Sequence, residues 1–171
     1  MDFFDTVARR HSIRAFRDVE VEREKIDRIL ETINHAPSAG DLQAYQVYLV
    51  HSRRQRLALA HAALDQMFIS EAPVVLVFCA TPQRSAIKYG QRGEQLYALQ
   101  DATIACAYAQ LATSTLGLGA AWVGSFDEDA VRRAIGAPGD EIPIAILPVG
   151  YPAEAPGWTP RRSLRDLVRE V

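Results

Sequence analysis

Apolar and polar positions along the chain change period several times, and each change marks an element. Phe3 to Arg9 has the pattern of a short amphipathic helix. Ile26, Ile29, Leu30 and Ile33 recur at helical spacing, which predicts a helix over about 21–35 with one buried stripe. Pro37 and Gly40 stop it and open a loop. QVYLVH (46–51) reads as a strand and Arg54 to Ala63 as a helix. PVVLVFCA (73–80) is apolar on both faces, as a central strand would be. Residues 81–93 are polar and read as irregular. A long helix is expected from Glu94 to Leu116, and its stretch from Ala102 to Leu118 carries no charge, so burial nearly all round is expected. Gly117 and Gly119 end it. AAWVG (120–124) reads as a short strand, and Ser125 to Glu128 has capping-box spacing. IPIAILPVGYP (142–152) reads as a strand leaving the core, and Ser163 to Val171 as a short helix.

Interspersed helices and strands imply a layered α+β fold around one sheet, in a single domain over 1–171. A charge-free helix in so small a domain needs more cover than one sheet gives, so a homodimer is expected. Composition adds little: 49% apolar, 23% charged, net charge −2. Nothing in that balance calls for nucleic acid or an anionic membrane. The first residues lack a long apolar run with a cleavage site, and the expected setting is cytoplasmic. Cys79 and Cys106 sit in apolar segments and read as reduced core thiols. His11, His35, His51 and His61 make no metal-ligand spacing, and neither a P-loop nor a Rossmann glycine pattern is present.

Four stretches carry candidate chemistry. Arg9-Arg10-His11-Ser12-Ile13-Arg14-Ala15-Phe16-Arg17 holds four arginines in nine residues. The guanidinium fork suits phosphate oxygens, and extended backbone would turn Arg10, Ser12 and Arg14 to one side. A solvated basic stretch fits the same residues. Ala36 to Gln43 is a small-residue loop that lets backbone approach a planar ligand, with Ser38, Asp41 and Gln43 as polar groups. Trp122 to Asp127 runs from strand through Gly124 and Ser125 toward a helix, where backbone N–H groups are free to meet an electron-rich atom. Pro160-Arg161-Arg162-Ser163-Leu164 adds late charge.

Taken in order, seven blocks give the chain its likeness: RRHSIRAF (9–16), APSAGDLQ (36–43), EAPVVLVFCA (71–80), RGEQLYALQDATIA (92–105), LGLGAAWVGSFDEDAV (116–131), IPIAILPVGYP (142–152) and PRRSLRDLV (160–168). Together they resemble the FMN-dependent nitroreductase family over essentially the whole chain. The resemblance implies a three-layer fold, a mixed and mostly antiparallel sheet flanked by helices, in an intertwined homodimer with FMN at the subunit interface. It implies that Arg10, His11, Ser12 and Arg14, with Arg161 and Arg162, hold the FMN phosphate. Pro37, Ser38, Ala39, Gly40, Asp41 and Gln43 would line the flavin from the other subunit, with Gln66 at its pyrimidine edge. Gly124 and Ser125 would lie beside the ring, a backbone N–H near N5. The implied activity is ping-pong transfer of hydride from NADH or NADPH, through flavin N5, to a small-molecule acceptor such as a nitroaromatic or quinone. No side chain is assigned as acid or base. A dehalogenase or flavin-fragmenting relative, or a flavin-binding protein without turnover, are the alternatives.

Some positions depart from the family pattern. Asp41 stands where Asn is common, and an ionised carboxylate cannot donate a hydrogen bond. Ala44 replaces a usual Pro, and Thr159 a frequent basic residue. An insertion common after the long helix is missing, which leaves the substrate face open or built from residues 81–93.

Overall fold

The computed structural model describes residues 2–157 and 159–171. Helix α1 (Phe3–Arg9) starts at Asp2, whose carboxylate accepts from the Asp5 N–H at 2.8 Å. An extended segment leads to α2 (Arg23–Asn34), which buries Ile26, Ile29 and Ile33. Strand β1 (Tyr45–Val50), helices α3 (Arg53–Ala62) and α4 (Phe68–Glu71), and strand β2 (Val74–Ala80) follow. Then come α5 (Pro82–Arg92), a π-helical turn over Gly93–Tyr97, α6 (Ala98–Thr115), β3 (Gly119–Ala120), α7 (Glu128–Ile135), β4 (Ile142–Gly150) and α8 (Leu164–Leu167).

The strands pair antiparallel in the order β1-β2-β4-β3. A parallel element enters through the isolated bridge between Ser12 and Ala120. Strand side chains alternate faces, and β2 and β4 spend both faces on core. Leu76, Phe78, Ala145 and Leu147 meet α2 and α6 through Ile29, Ile33, Ala105 and Ala109. Val75, Val77 and Ile146 meet Leu59, Ile69 and Val131 of α3, α4 and α7 on the opposite side. Helix, sheet and helix thus form three layers, as expected. Each fully buried Ile, Leu, Val or Phe contributes roughly 1.5–3 kcal/mol, which makes the central strands the most costly to disturb. Both cysteines are buried and free, and burial pushes the Cys79 thiol up to about 12 and Cys106 well above its ordinary value.

Five expectations are corrected. Residues 81–93 are mostly helical. The regular part of α5 starts with Pro82 at its first turn, where the missing N–H costs nothing. Its apolar stripe is too thin to see in sequence, and Gly90 breaks it at φ 55°. The cap of α7 is Asp127, not Ser125: its carboxylate accepts from Ala130 N at 2.7 Å. Of the strand expected over 120–124, Ala120 pairs, together with Gly119, as β3, and Val123 adds a lone bridge to Ile146. β4 lies inside the sheet, between β2 and β3, rather than leaving the core. The helix expected over Ser163 to Val171 is a single turn, Leu164–Leu167. Helix α6 buries one face in the single chain and leaves Tyr108, Leu111 and Ala112 half-buried, in keeping with the expected need for further cover. Among the described residues, no helix is long and apolar enough to cross a membrane.

Candidate functional site

The arginine stretch is laced into the fold by its backbone. Ile13 N–H donates to Ala120 O at 3.0 Å, and Arg17 N–H to Tyr151 O at 2.8 Å. Ala153 N–H returns a bond to Ala15 O at 2.9 Å. The Glu154 carboxylate accepts from Arg14 N at 2.5 Å and Ala15 N at 3.1 Å. Ile13 points inward and is buried, which turns Ser12 and Arg14 to the opposite side of the extended backbone. Gly119 makes this crossing possible, because a Cβ there would lie 2.7 Å from Ile13 Cγ1. A cavity of about 220 Å³ forms beside the crossing, lined among others by Arg9, Arg10, His11, Gly119 and Glu154. Ser12 and Arg14 are not in its wall. His11 Nδ1 is bonded to Arg9 O at 2.8 Å, leaving Nε2 free to face a ligand.

The loop after α2 is the second patch. Gly40, Asp41 and Gln43 take left-handed φ values of 58°, 57° and 47°. Such a run is strained for side-chain-bearing residues and needs outside support. Asp101, at the start of α6 and 2% exposed, supplies it. Its two carboxylate oxygens accept from Ala39 N at 2.9 Å and Ala44 N at 3.2 Å, one on each side of the turn. Ser38 Oγ accepts from Gln43 N at 2.9 Å, and Gln43 Nε2 donates to Asn34 O at 3.1 Å. Ser38 and Gln43 therefore shape the loop in the single chain, while Pro37, Gly40 and Asp41 are exposed. Asp41 makes no ion pair among the described residues.

Gln66 and the 124–125 stretch meet directly: Gln66 Nε2 donates to Ser125 O at 3.4 Å as well as to Ala63 O at 2.9 Å. Gly124 and Ser125 are exposed beyond the bridge at Val123. Arg161 and Arg162 lie on the exposed stretch after Ala153, and Arg162 donates to Asp166 O at 2.6 Å. The single chain thus presents four patches. Arg10 and His11 share a cavity and Gln66 touches Ser125, whereas the loop and the late arginines line neither place.

The residues fit a flavin mononucleotide by donor chemistry. The guanidinium groups of Arg9, Arg10, Arg14 and Arg161 have no carboxylate or hydrogen-bond partner among the described residues. Unpaired guanidinium groups on a pinned backbone suit a dianionic phosphate. Sequence reasoning missed Asp101 and Glu154, which hold the loop and the arginine stretch. The signal for Asp101 was a single acid directly before the charge-free stretch 102–118. Glu154 gave none, because its partners are backbone N–H groups about 140 residues earlier.

Known proteins share this fold. The profile of the nitroreductase family matches residues 7–73 and 61–151. A relative from Methanothermobacter thermautotrophicus is 34% identical over 161 residues, 92% of this chain and 81% of that protein. The FMN reductase (NADPH) of Bacillus subtilis is 26% identical, across 97% of this chain and 72% of its own length. The structure of the NADPH:FMN oxidoreductase from Vibrio harveyi complexed with NAD+ superposes with a TM-score of 0.89 at 26% identity, over 98% of this chain and 76% of that one. With its three-layer fold, its pinned arginine stretch and a profile match over most of its length, the chain belongs to the nitroreductase family.

Proposed function

We propose that this chain is an FMN-dependent NAD(P)H oxidoreductase that works as a homodimer, with the flavin held where two copies meet. The observation that carries the reading is the set of unpaired arginines on a backbone locked to the sheet edge. Arg10, His11, Ser12 and Arg14 hold the phosphate, with Arg161 and Arg162 arriving on the exposed C-terminal stretch. Pro37 to Gln43 line the flavin, braced by Asp101. Gln66 orients the 124–125 stretch, where the backbone N–H groups of Gly124 and Ser125 meet the ring edge. FMN, when bound, supplies the redox chemistry, taking electrons from NADH or NADPH and passing them to a nitroaromatic, quinone or similar acceptor. The chain's own part is position, charge and exclusion of water. None of its side chains is given a proton-transfer role.

The dimer reading draws support from the cavity at the arginine stretch, whose wall takes in neither the 37–43 loop nor the late arginines. A groove of about 520 Å³ runs between α1, α2 and α6, lined by Phe3, Tyr108, Leu111 and Leu116. Phe3, Phe4 and Val7 beside it are exposed, as are Leu164, Leu167 and Val168 of the tail. Apolar exposure on this scale is a subunit-contact signature.

The test is the absorbance of purified wild-type, Arg10→Ala and Arg14→Ala proteins, followed anaerobically during NADPH or NADH addition. Wild-type flavin bands should bleach. Each variant should lose about tenfold or more in FMN affinity, the worth of one charge-assisted phosphate contact. Full flavin occupancy in both variants would defeat the phosphate assignment. Wild-type bands that persist would favour a flavin-binding protein without turnover.

A further inference from the structure

The segment 82–97 has no role in the site described so far, yet its charge is one-sided. Helix α5 carries Arg84, Lys88 and Arg92 and no acid, in a chain whose net charge is −2. None of the three makes an ion pair among the described residues. The nearby Glu94 is taken by Gln83 Nε2 at 3.3 Å, and Asp41 across the loop is likewise unpaired. Gly90 leaves the helical region, which turns the chain so that Arg92 returns toward Tyr97. Lys88 Nζ then lies 5.4 Å from the Tyr89 ring centre, and the Arg92 guanidinium carbon 5.4 Å from that of Tyr97. The two rings pack edge to face at 5.2 Å, so both cations stand on one aromatic pair.

This cluster packs close to the loop that borders the flavin in the reading above. Gly93 packs so closely that an added Cβ would sit 2.5 Å from Ser85 O, which fixes the π-helical turn against α5. Arg84 Nε donates to Leu42 O at 2.5 Å. A Cβ at Gly40 would collide with the Tyr89 hydroxyl and lie 2.7 Å from Lys88 Nζ. Arg84 and Lys88 thus bring positive charge close against residues 40–42, at the rim of the candidate site. Single-turn π segments inside helices are frequent at functional sites.

We infer that Lys88 and Arg92, mounted on Tyr89 and Tyr97, bind the phosphate groups of the nicotinamide dinucleotide donor and favour NADPH, the more highly phosphorylated form. The inference rests on the oxidoreductase reading. It makes these residues determinants of donor specificity, apart from the arginines that hold FMN. Charge-assisted contacts to phosphate suit Arg and Lys, and the aromatic pair keeps their long side chains from wandering.

The test uses the FMN-loaded dimer and its Lys88→Glu, Arg92→Glu variant. NADP+ and NAD+ binding is followed by calorimetry, and steady-state KM is measured for NADPH and for a neutral quinone. NADP+ should bind about tenfold more weakly to the double variant, with the NADPH KM rising in step, as expected for lost charge-assisted contacts. The quinone KM should change less than about twofold, since it has no charge for these residues to read. Unchanged NADP+ affinity, or equal shifts for NADP+ and the quinone, would overturn the assignment. Wild-type flavin that dithionite bleaches but neither NADH nor NADPH does would instead defeat the oxidoreductase reading itself.

Discussion

Asp101 shows what one residue can do for the site. A buried carboxylate with two oxygens is matched to two loop N–H groups, Ala39 and Ala44, flanking three left-handed residues. Replacing it by Asn keeps one acceptor and turns an NH2 toward the other backbone donor. Asp101→Asn should cost about 2 kcal/mol and lower the melting temperature by about 5 °C. It should also weaken FMN binding, because the loop that lines the flavin loses its brace. Calorimetric melting with an FMN titration checks both, and tight FMN binding in a destabilised variant would confine Asp101 to stability. Asp41 is a different case. Its carboxylate cannot donate a hydrogen bond, and it forms no ion pair among the described residues.

Elements carry the next level. The arginine stretch and β3 touch because Gly119 leaves room for Ile13. Gly119→Ala would force apart two backbones joined by the Ile13–Ala120 hydrogen bond. Overpacking of this kind costs typically 1–3 kcal/mol. Displacing the stretch should also lower FMN affinity without removing any phosphate ligand, a result that an FMN fluorescence titration would reveal. A variant that binds FMN as the wild type does would show that the stretch tolerates the shift. Helical periodicity located α1, α2, α3 and α6 within a residue or two at most ends, because each buries a regular stripe. It missed α5, whose burial rests on Pro82 and Ser85 rather than on a repeating apolar face. The capping box at Ser125 failed for a local reason: Asp127 has the same chemistry two residues later.

At the scale of the molecule, the apolar groove between α1, α2 and α6 and the apolar side chains of the C-terminal stretch are left uncovered by one chain. Light scattering should give twice the 18.9 kDa chain mass, and removal of residues 157–171 should shift the protein toward monomer with loss of bound flavin. A full-length monomer that retains FMN would refute the shared site. The sequence by itself determined the layered α+β architecture, the central place of the all-apolar strand 74–80 and the ordered blocks that mark the family. Those features are local, since side-chain period, turn residues and motif order are written along the chain. Only the tertiary structure decided which carboxylates brace the site, that residues 81–93 form a cationic helix against the 40–42 loop, and that the cavity at the arginine stretch takes in neither that loop nor the late arginines. Those depend on contacts between residues far apart in sequence, such as Arg14 with Glu154 and Ala39 with Asp101, which neither periodicity nor composition encodes.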